Sequence, residues 1–148
     1  MEKIIKSPKS AIEWQQYFNL RYRILREPWG QPIGSERNDG DSVAIHASCY
    51  VENKLVAVAR LDVYNEDFGQ VRFMAVEKGQ QGKGLGKIVM HYLEEKSIAR
   101  GDLGMILHAR EKAIGFYENL GYTTMEQSYL LFGEIQHYLM QKEYAGAK

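Results

Sequence analysis

Residues 70–95 read QVRFMAVEKGQQGKGLGKIVMHYLEE. An extended run, 70–77, enters a glycine-rich turn, and the turn opens a run with helical spacing. Leu85, Ile88, Val89, Tyr92 and Leu93 fall at i, i+3, i+4, i+7 and i+8, which predicts an amphipathic helix with one apolar stripe. Between strand and helix stand Gly82, Gly84 and Gly86, at every second position. Glycine loses more backbone freedom on folding than any other residue, about 0.5–1 kcal/mol relative to alanine inside an element. A structural turn needs one or two such residues. Three in alternation imply a backbone that lies close against something.

Spacing excludes two phosphate loops. The Walker pattern requires glycine where Gln81 stands and a hydroxyl where Ile88 stands. The dinucleotide fingerprint G-x-G-x-x-G does not match G-x-G-x-G, and here the turn follows three strands rather than opening the first βα unit. The physics common to both loops remains. The first-turn N–H groups of a helix lack intrahelical partners, and the aligned peptides place partial positive charge there. A strand–glycine turn–helix therefore suits a phosphate or pyrophosphate, with Lys83 and Lys87 adding charge.

The whole chain bounds the reading. Its 148 residues fit one domain, 1–148, long enough for a real core, and 45% hydrophobic with 26% charged residues is the composition of a globule. Lys+Arg and Asp+Glu both number 19, so no overall field draws it to nucleic acid or a membrane surface. No run approaches the roughly 20 apolar residues that cross a bilayer, and the N-terminal MEKIIKSPKSAIEW has no long apolar core of a secretory signal. Cys49 is the only cysteine, which excludes an internal disulfide and is compatible with a reducing compartment. The expectation is a cytoplasmic protein. An oligomer is neither indicated nor excluded.

Along the chain, Ile4–Ile5 is a short apolar stretch, and Ser7-Pro8 reads as a cap with a first-turn proline before a helix from Ser10 to about Arg26. Trp14, Tyr17, Phe18, Arg21 and Leu25 share one side of that helix. The loop PWGQPIGSERNDGD (28–41) is either a connector or a functional segment, with Trp29 and Ile33 expected to pack. Strands at 43–52 and 55–64 form a hairpin turning at Asn53-Lys54, and 70–77 is the third. After the glycine-opened helix, which ends at Arg100-Gly101, come a strand at 104–109, a helix from about Arg110 to Asn119, and strands near 122–126 and 135–143. The order β-α-β-β-β-α-β-α-β-β predicts an α/β fold around one sheet.

Two segments carry a resemblance. Gln81-Gly82-Lys83-Gly84-Leu85-Gly86 resembles the acyl-CoA pyrophosphate motif Q/R-x-x-G-x-G/A of the GNAT acetyltransferase superfamily. Downstream, Ala113 to Tyr122 (AIGFYENLGY) resembles that superfamily's A-x-x-F-Y-x-x-x-G-F/Y segment. The resemblance implies a single mixed, mostly antiparallel central sheet flanked by helices, and N-acetyl transfer from acetyl-CoA to a primary amine of a small molecule or peptide in a ternary complex. It implies that the strand 70–77 splays from 104–109, that backbone groups of Met74, Ala75 and Val76 meet the pantetheine arm, and that Val76 N–H faces the thioester carbonyl. Gln81, Gly82, Lys83, Gly84, Leu85, Gly86 and Lys87 would hold the pyrophosphate, and Tyr117 would be the general acid. Arg110 departs from the family, which often has asparagine there. LRYRILREPWGQP (20–32), with the His46 and Gln136-His137 regions, also resembles the ElaA-like bacterial members.

The general base stays open among Glu77, His46, His137 and water. Glu77's position often points to solvent in this family. Tyr117 can also be a core aromatic beside Phe116. Cys49 points away from His46 along its strand, which argues against a Cys–His nucleophile pair, and no His/Cys/Asp/Glu cluster has metal-ligand spacing. The helix end and loop 28–41, expected to wall the acceptor site, carry Arg23, Arg26, Glu27, Glu36, Asp39 and Asp41: the acids suit a cationic amine, the arginines a carboxylate. The alternative function is a non-catalytic acyl-CoA sensor or interaction module, and a nucleotide-binding protein is more remote.

Overall fold

The computed structural model describes residues 2–146. Seven strands form one sheet: β1 (Lys3–Lys6), β2 (Ile45–Val51), β3 (Lys54–Val63), β4 (Phe68–Val76), β5 (Gly104–Arg110), β6 (Thr123–Leu131) and β7 (Ile135–Glu143). Their spatial order is β1-β2-β3-β4-β5-β7-β6, and every adjacent pair is antiparallel except β4–β5. That parallel pair is joined through α2 (Leu85–Ala99), the helix opened by the glycine turn. The mixed, mostly antiparallel sheet and the expected element order are both present.

α2 lies on one face. Its Leu85, Val89, Met90 and Leu93 are buried against Ala57, Leu61, Met105 and Leu107 of the sheet. α1 (Ala11–Leu25) covers the opposite face, where Tyr17 and Leu20 pack on Val58 and Ala75. α1 starts at Ser10, whose hydroxyl accepts from Glu13 N–H while the Glu13 carboxylate takes Ser10 N–H. This reciprocal cap is worth about 1 kcal/mol. Ser7-Pro8 is therefore not the cap; it links β1 to the helix. The β2–β3 turn is carried by Glu52 and Asn53, with φ of 50° and 68°, so Lys54 already belongs to β3. Two consecutive left-handed residues match the right-handed twist of the flanking strands.

Loop 28–41 is tied down by polar groups rather than by Ile33, which is 84% exposed. Buried Arg21 donates to Glu36 O and to the Asp41 carboxylate, at 3.0 and 2.9 Å. The segment after β5 is shorter as an α-helix than the sequence suggests: a 3-10 turn, Glu111–Ala113, precedes α3 (Ile114–Glu118). β6 runs five residues beyond the expected 122–126, because β7 pairs with it as far as Leu131.

One distortion places the site. Between the pairs Val58–Ala75 and Arg60–Arg72, Ala59 of β3 opposes both Phe73 and Met74 of β4, a β-bulge. Phe73 sits at φ +55°, where a non-glycine residue costs about 1–3 kcal/mol unless its surroundings hold it. The surroundings are cationic: the Arg21 and Arg60 guanidiniums lie 4.4 and 4.9 Å from the centre of the Phe73 ring.

Candidate active site

β4 and β5 pair only from Phe68–Gly104 to Val71–Leu107. Beyond that point β5 continues to pair with β7 alone, and β4 bends away at the bulge. The two strands diverge into a cleft of about 910 Å³, bounded by the glycine turn and α3 at one end and by α1, β6 and β7 at the other. That volume lies within the range of small-molecule sites, about 300–1,000 Å³.

At the first end the turn presents bare backbone. Gln80 N–H donates to Glu77 O at 3.0 Å, and Ile88 N–H to Gly84 O at 3.2 Å. Among the described residues, the amides between them, 81 to 87, have no acceptor in the protein. Gly82 and Gly84 both have φ +80°, and a Cβ on either would meet nothing within 4 Å. Left-handed backbone explains these two glycines, and the open space leaves their donors approachable. Gly86 differs: a Cβ there would stand 3.0 Å from the Phe116 ring. It is glycine so that α3 can pack against the first turn of α2, which corrects the reading of all three as close to a ligand.

Strand alternation orients Val76. Glu77 N–H donates to Val56 O of β3 at 2.7 Å, so the peptide groups of Val76, one residue earlier, face the other way, toward the cleft. Gln81 Nε2 reaches the Val76 carbonyl from that side at 3.3 Å. Tyr117 lines the same cleft although only 7% exposed, and burial pushes its hydroxyl up to about 12, so it is a protonated donor at neutral pH. Its hydroxyl has no hydrogen-bond partner among the described residues. The arrangement brings unpartnered amides, a β4 N–H and a phenol donor to one cavity.

The model of the acetyltransferase (GNAT) family matches residues 13–122. A Bacillus subtilis (strain 168) protein named "putative acetyltransferase" is 31% identical over 144 residues, 94% of this chain and 95% of that one. The chain belongs to the GNAT acetyltransferase family. Among solved structures, Escherichia coli ElaA superposes with a TM-score of 0.80 at 19% identity, covering 96% of this chain and 99% of its own. An aminoglycoside 6'-N-acetyltransferase complexed with coenzyme A gives 0.79 at 17% identity, covering 95% and 96%. At these identities the structures establish the shared fold.

Within this GNAT fold, nine of the ten residues expected at the cofactor line the cleft; Lys83 does not. Ala75 turns its methyl into the cluster beneath α1, leaving backbone as its contribution. Among the candidate bases, His46 is enclosed. Its Nε2 contacts Asp41 O at 2.8 Å and its Nδ1 contacts the Tyr17 hydroxyl, itself bonded to Ala59 O, at 2.7 Å, and it lies outside the cleft lining. Burial holds its pKa below the usual value, in keeping with a neutral structural ring. Glu77 does not point freely to solvent: Arg23 grips both carboxylate oxygens at 2.9 Å, and this pairing holds its pKa below the carboxylate range.

His137 has the opposite situation. It lines the cleft, Nδ1–H donates to Ile135 O at 2.9 Å, and that bond leaves Nε2 as the lone-pair nitrogen. The Tyr129 ring stacks on it at 4.5 Å and 12°. Burial, reinforced by Arg110 and Arg26, pushes its pKa down and keeps it neutral. Three further residues of this end, Arg72, His108 and Tyr129, were not singled out from the sequence; no local motif marks them. Among the described residues no group of three metal-ligating side chains exists, and no helix is long and apolar enough to cross a membrane.

Proposed function

We propose that the chain is an N-acetyltransferase that moves the acetyl group of acetyl-CoA to a primary amine by direct attack in a ternary complex. The observation that carries this reading is the run of unpartnered amides at 81–87, opening onto the same cleft as Val76 N–H and Tyr117. These amides, at the positive end of α2, hold the pyrophosphate, with Lys87 beside them. Met74 and Val76 extend their free β4 edge along the pantetheine arm as a strand pairs with its neighbour. The coenzyme A in the related aminoglycoside acetyltransferase structure supports the same ligand here.

Val76 N–H donates to the thioester carbonyl oxygen as negative charge grows on it, a fixed dipole that needs no reorganisation. His137 Nε2 takes a proton from the attacking nitrogen, directly or through one water. Tyr117 O–H gives a proton to the leaving sulfur. A C–N bond forms, the C–S bond breaks, and one proton passes in net from amine to thiol. Burial serves both groups, since it keeps the phenol protonated and the imidazole neutral.

The test is release of free coenzyme A thiol from acetyl-CoA, followed across a broad panel of primary amines. Release that saturates in both substrates and requires both is the expected result. Coenzyme A binding with no turnover of any amine would replace the enzyme with a sensor.

A further inference from the structure

Among the described residues lining the cleft there are arginines, histidines and a lysine, and no aspartate or glutamate. Of the acids expected to receive a cationic amine, Glu27, Glu36, Asp39 and Asp41, none lines the cleft, and two of them, with the neighbouring Asp62 and Glu77, are held by other groups. Asp41 binds Arg21 and Arg60 at 2.9 and 3.1 Å, and Glu36 binds Gly34 N–H and Arg37 at 2.7 and 3.1 Å. Asp62 gives both oxygens to Arg60 at 2.7 Å, and Glu77 gives both to Arg23.

Among the described residues, none of the cleft's four cations has a carboxylate to itself: Lys87 and Arg110 make no ion pair, and Arg26 and Arg72, which lie close together, are free to act as a pair. Arg26, at the end of α1, donates only to the backbone carbonyls of Ser35 and Leu25, and no carboxylate lies within 4.0 Å of it among the described residues. Arg72, on β4, reaches only Asp62, at 3.8 Å, and those oxygens are already committed to Arg60. Both guanidiniums flank the Phe73 ring, 5.6 and 5.2 Å from its centre, and line the same cleft as His108 and His137. Burial lowers the pKa of both histidines and so disfavours a positive charge on either. Tyr129, between the histidines, adds a phenol that neutral pH leaves uncharged. A guanidinium with unused donors matches the planar oxygens of a carboxylate or phosphate.

We propose that the acceptor amine carries an anionic group, a carboxylate or a phosphate, and that Arg26 and Arg72 bind it while the amine points toward Val76 and His137. This rests on the acetyl-transfer reading. An acceptor with several ammonium groups meets like charge on this wall and is disfavoured.

The experiment uses four primary amines of matched length whose far end is a methyl, a carboxylate, a phosphate or a second ammonium. Steady-state kcat/KM is measured for each with wild type, Arg26→Gln and Arg72→Gln. In parallel, the same compounds are tested for thermal stabilisation of the coenzyme A-loaded protein. Arg72 is substantially exposed, so its variant keeps the fold even if Arg26→Gln loosens loop 28–41. The expected result is a preference for an anionic amine over the neutral one of about tenfold or more, shrinking below about threefold in Arg72→Gln, chiefly through KM. The better of carboxylate and phosphate identifies the anion. Preference for the neutral or diammonium compound, or an unchanged preference in Arg72→Gln, overturns the proposal and leaves acetyl transfer intact. If no amine turns over, acetyl transfer fails. Stabilisation by the anionic compounds in wild type but not in Arg72→Gln then still supports the anion site, and equal stabilisation in both overturns it.

Discussion

The end of the cleft proposed for the cofactor is built from backbone, eleven consecutive positions, Glu77–Lys87, that form a turn and the first residues of α2; the end proposed for the acceptor is built from side chains on five separate elements. At the first, donors are amides whose direction follows from local φ and from strand alternation. At the second, Arg26, Arg72, His108, Tyr129 and His137 meet only because α1, β4, β5, β6 and β7 converge. A backbone site tolerates change in most side chains and fails when a glycine gains charge. A side-chain site changes its specificity one residue at a time. The comparison explains how one fold can keep a donor and vary its acceptors.

The largest expected effect is at the backbone end. Gly84→Glu adds a carboxylate among the anion donors at φ +80° and should weaken acetyl-CoA binding by about 3 kcal/mol or more, over a hundredfold by calorimetry. Gly84→Ala adds only the left-handed strain, about 1–2 kcal/mol, because its Cβ meets nothing within 4 Å. Similar losses in the two variants would show that conformation, not anion binding, accounts for the glycine.

Tyr117→Phe removes the proposed acid and little packing. It should lower kcat about a hundredfold while the affinity for acetyl-CoA stays within a factor of about two. An undiminished kcat would leave Tyr117 as a core aromatic packed edge-to-face with Phe116 and Tyr122.

At the side-chain end, His137→Gln is expected to slow turnover by about ten- to a hundredfold. The pH profile sharpens this. Burial lowers the His137 pKa, so the acid limb of the wild-type profile should lie below that of an ordinary histidine. In His137→Gln the acid limb should disappear. A limb that survives unchanged points to a water as the base.

This contrast also governs what was legible in the sequence. The order of elements, the α2 stripe and the glycine turn follow from local patterns of 3.6 and 2 residues, and the Gln81–Gly86 motif is contiguous. The role of Gly86 was hidden because its reason, the Phe116 ring, comes from 30 residues later. Phe73 gives no sign of its positive φ, since the bulge is set by pairing with Ala59 and by the arginines around its ring. His46 and His137 read alike as lone strand histidines. Only tertiary contacts show that one has both nitrogens engaged and the other keeps one free.

The most direct test is amide hydrogen exchange across residues 70–95, with and without coenzyme A. Strong slowing confined to the amides of 81–87 and to the free edge of β4 at Met74 and Val76 is the predicted outcome. Tight coenzyme A binding that leaves the 81–87 amides exchanging at their unliganded rate would contradict the assignment of this turn as the diphosphate site.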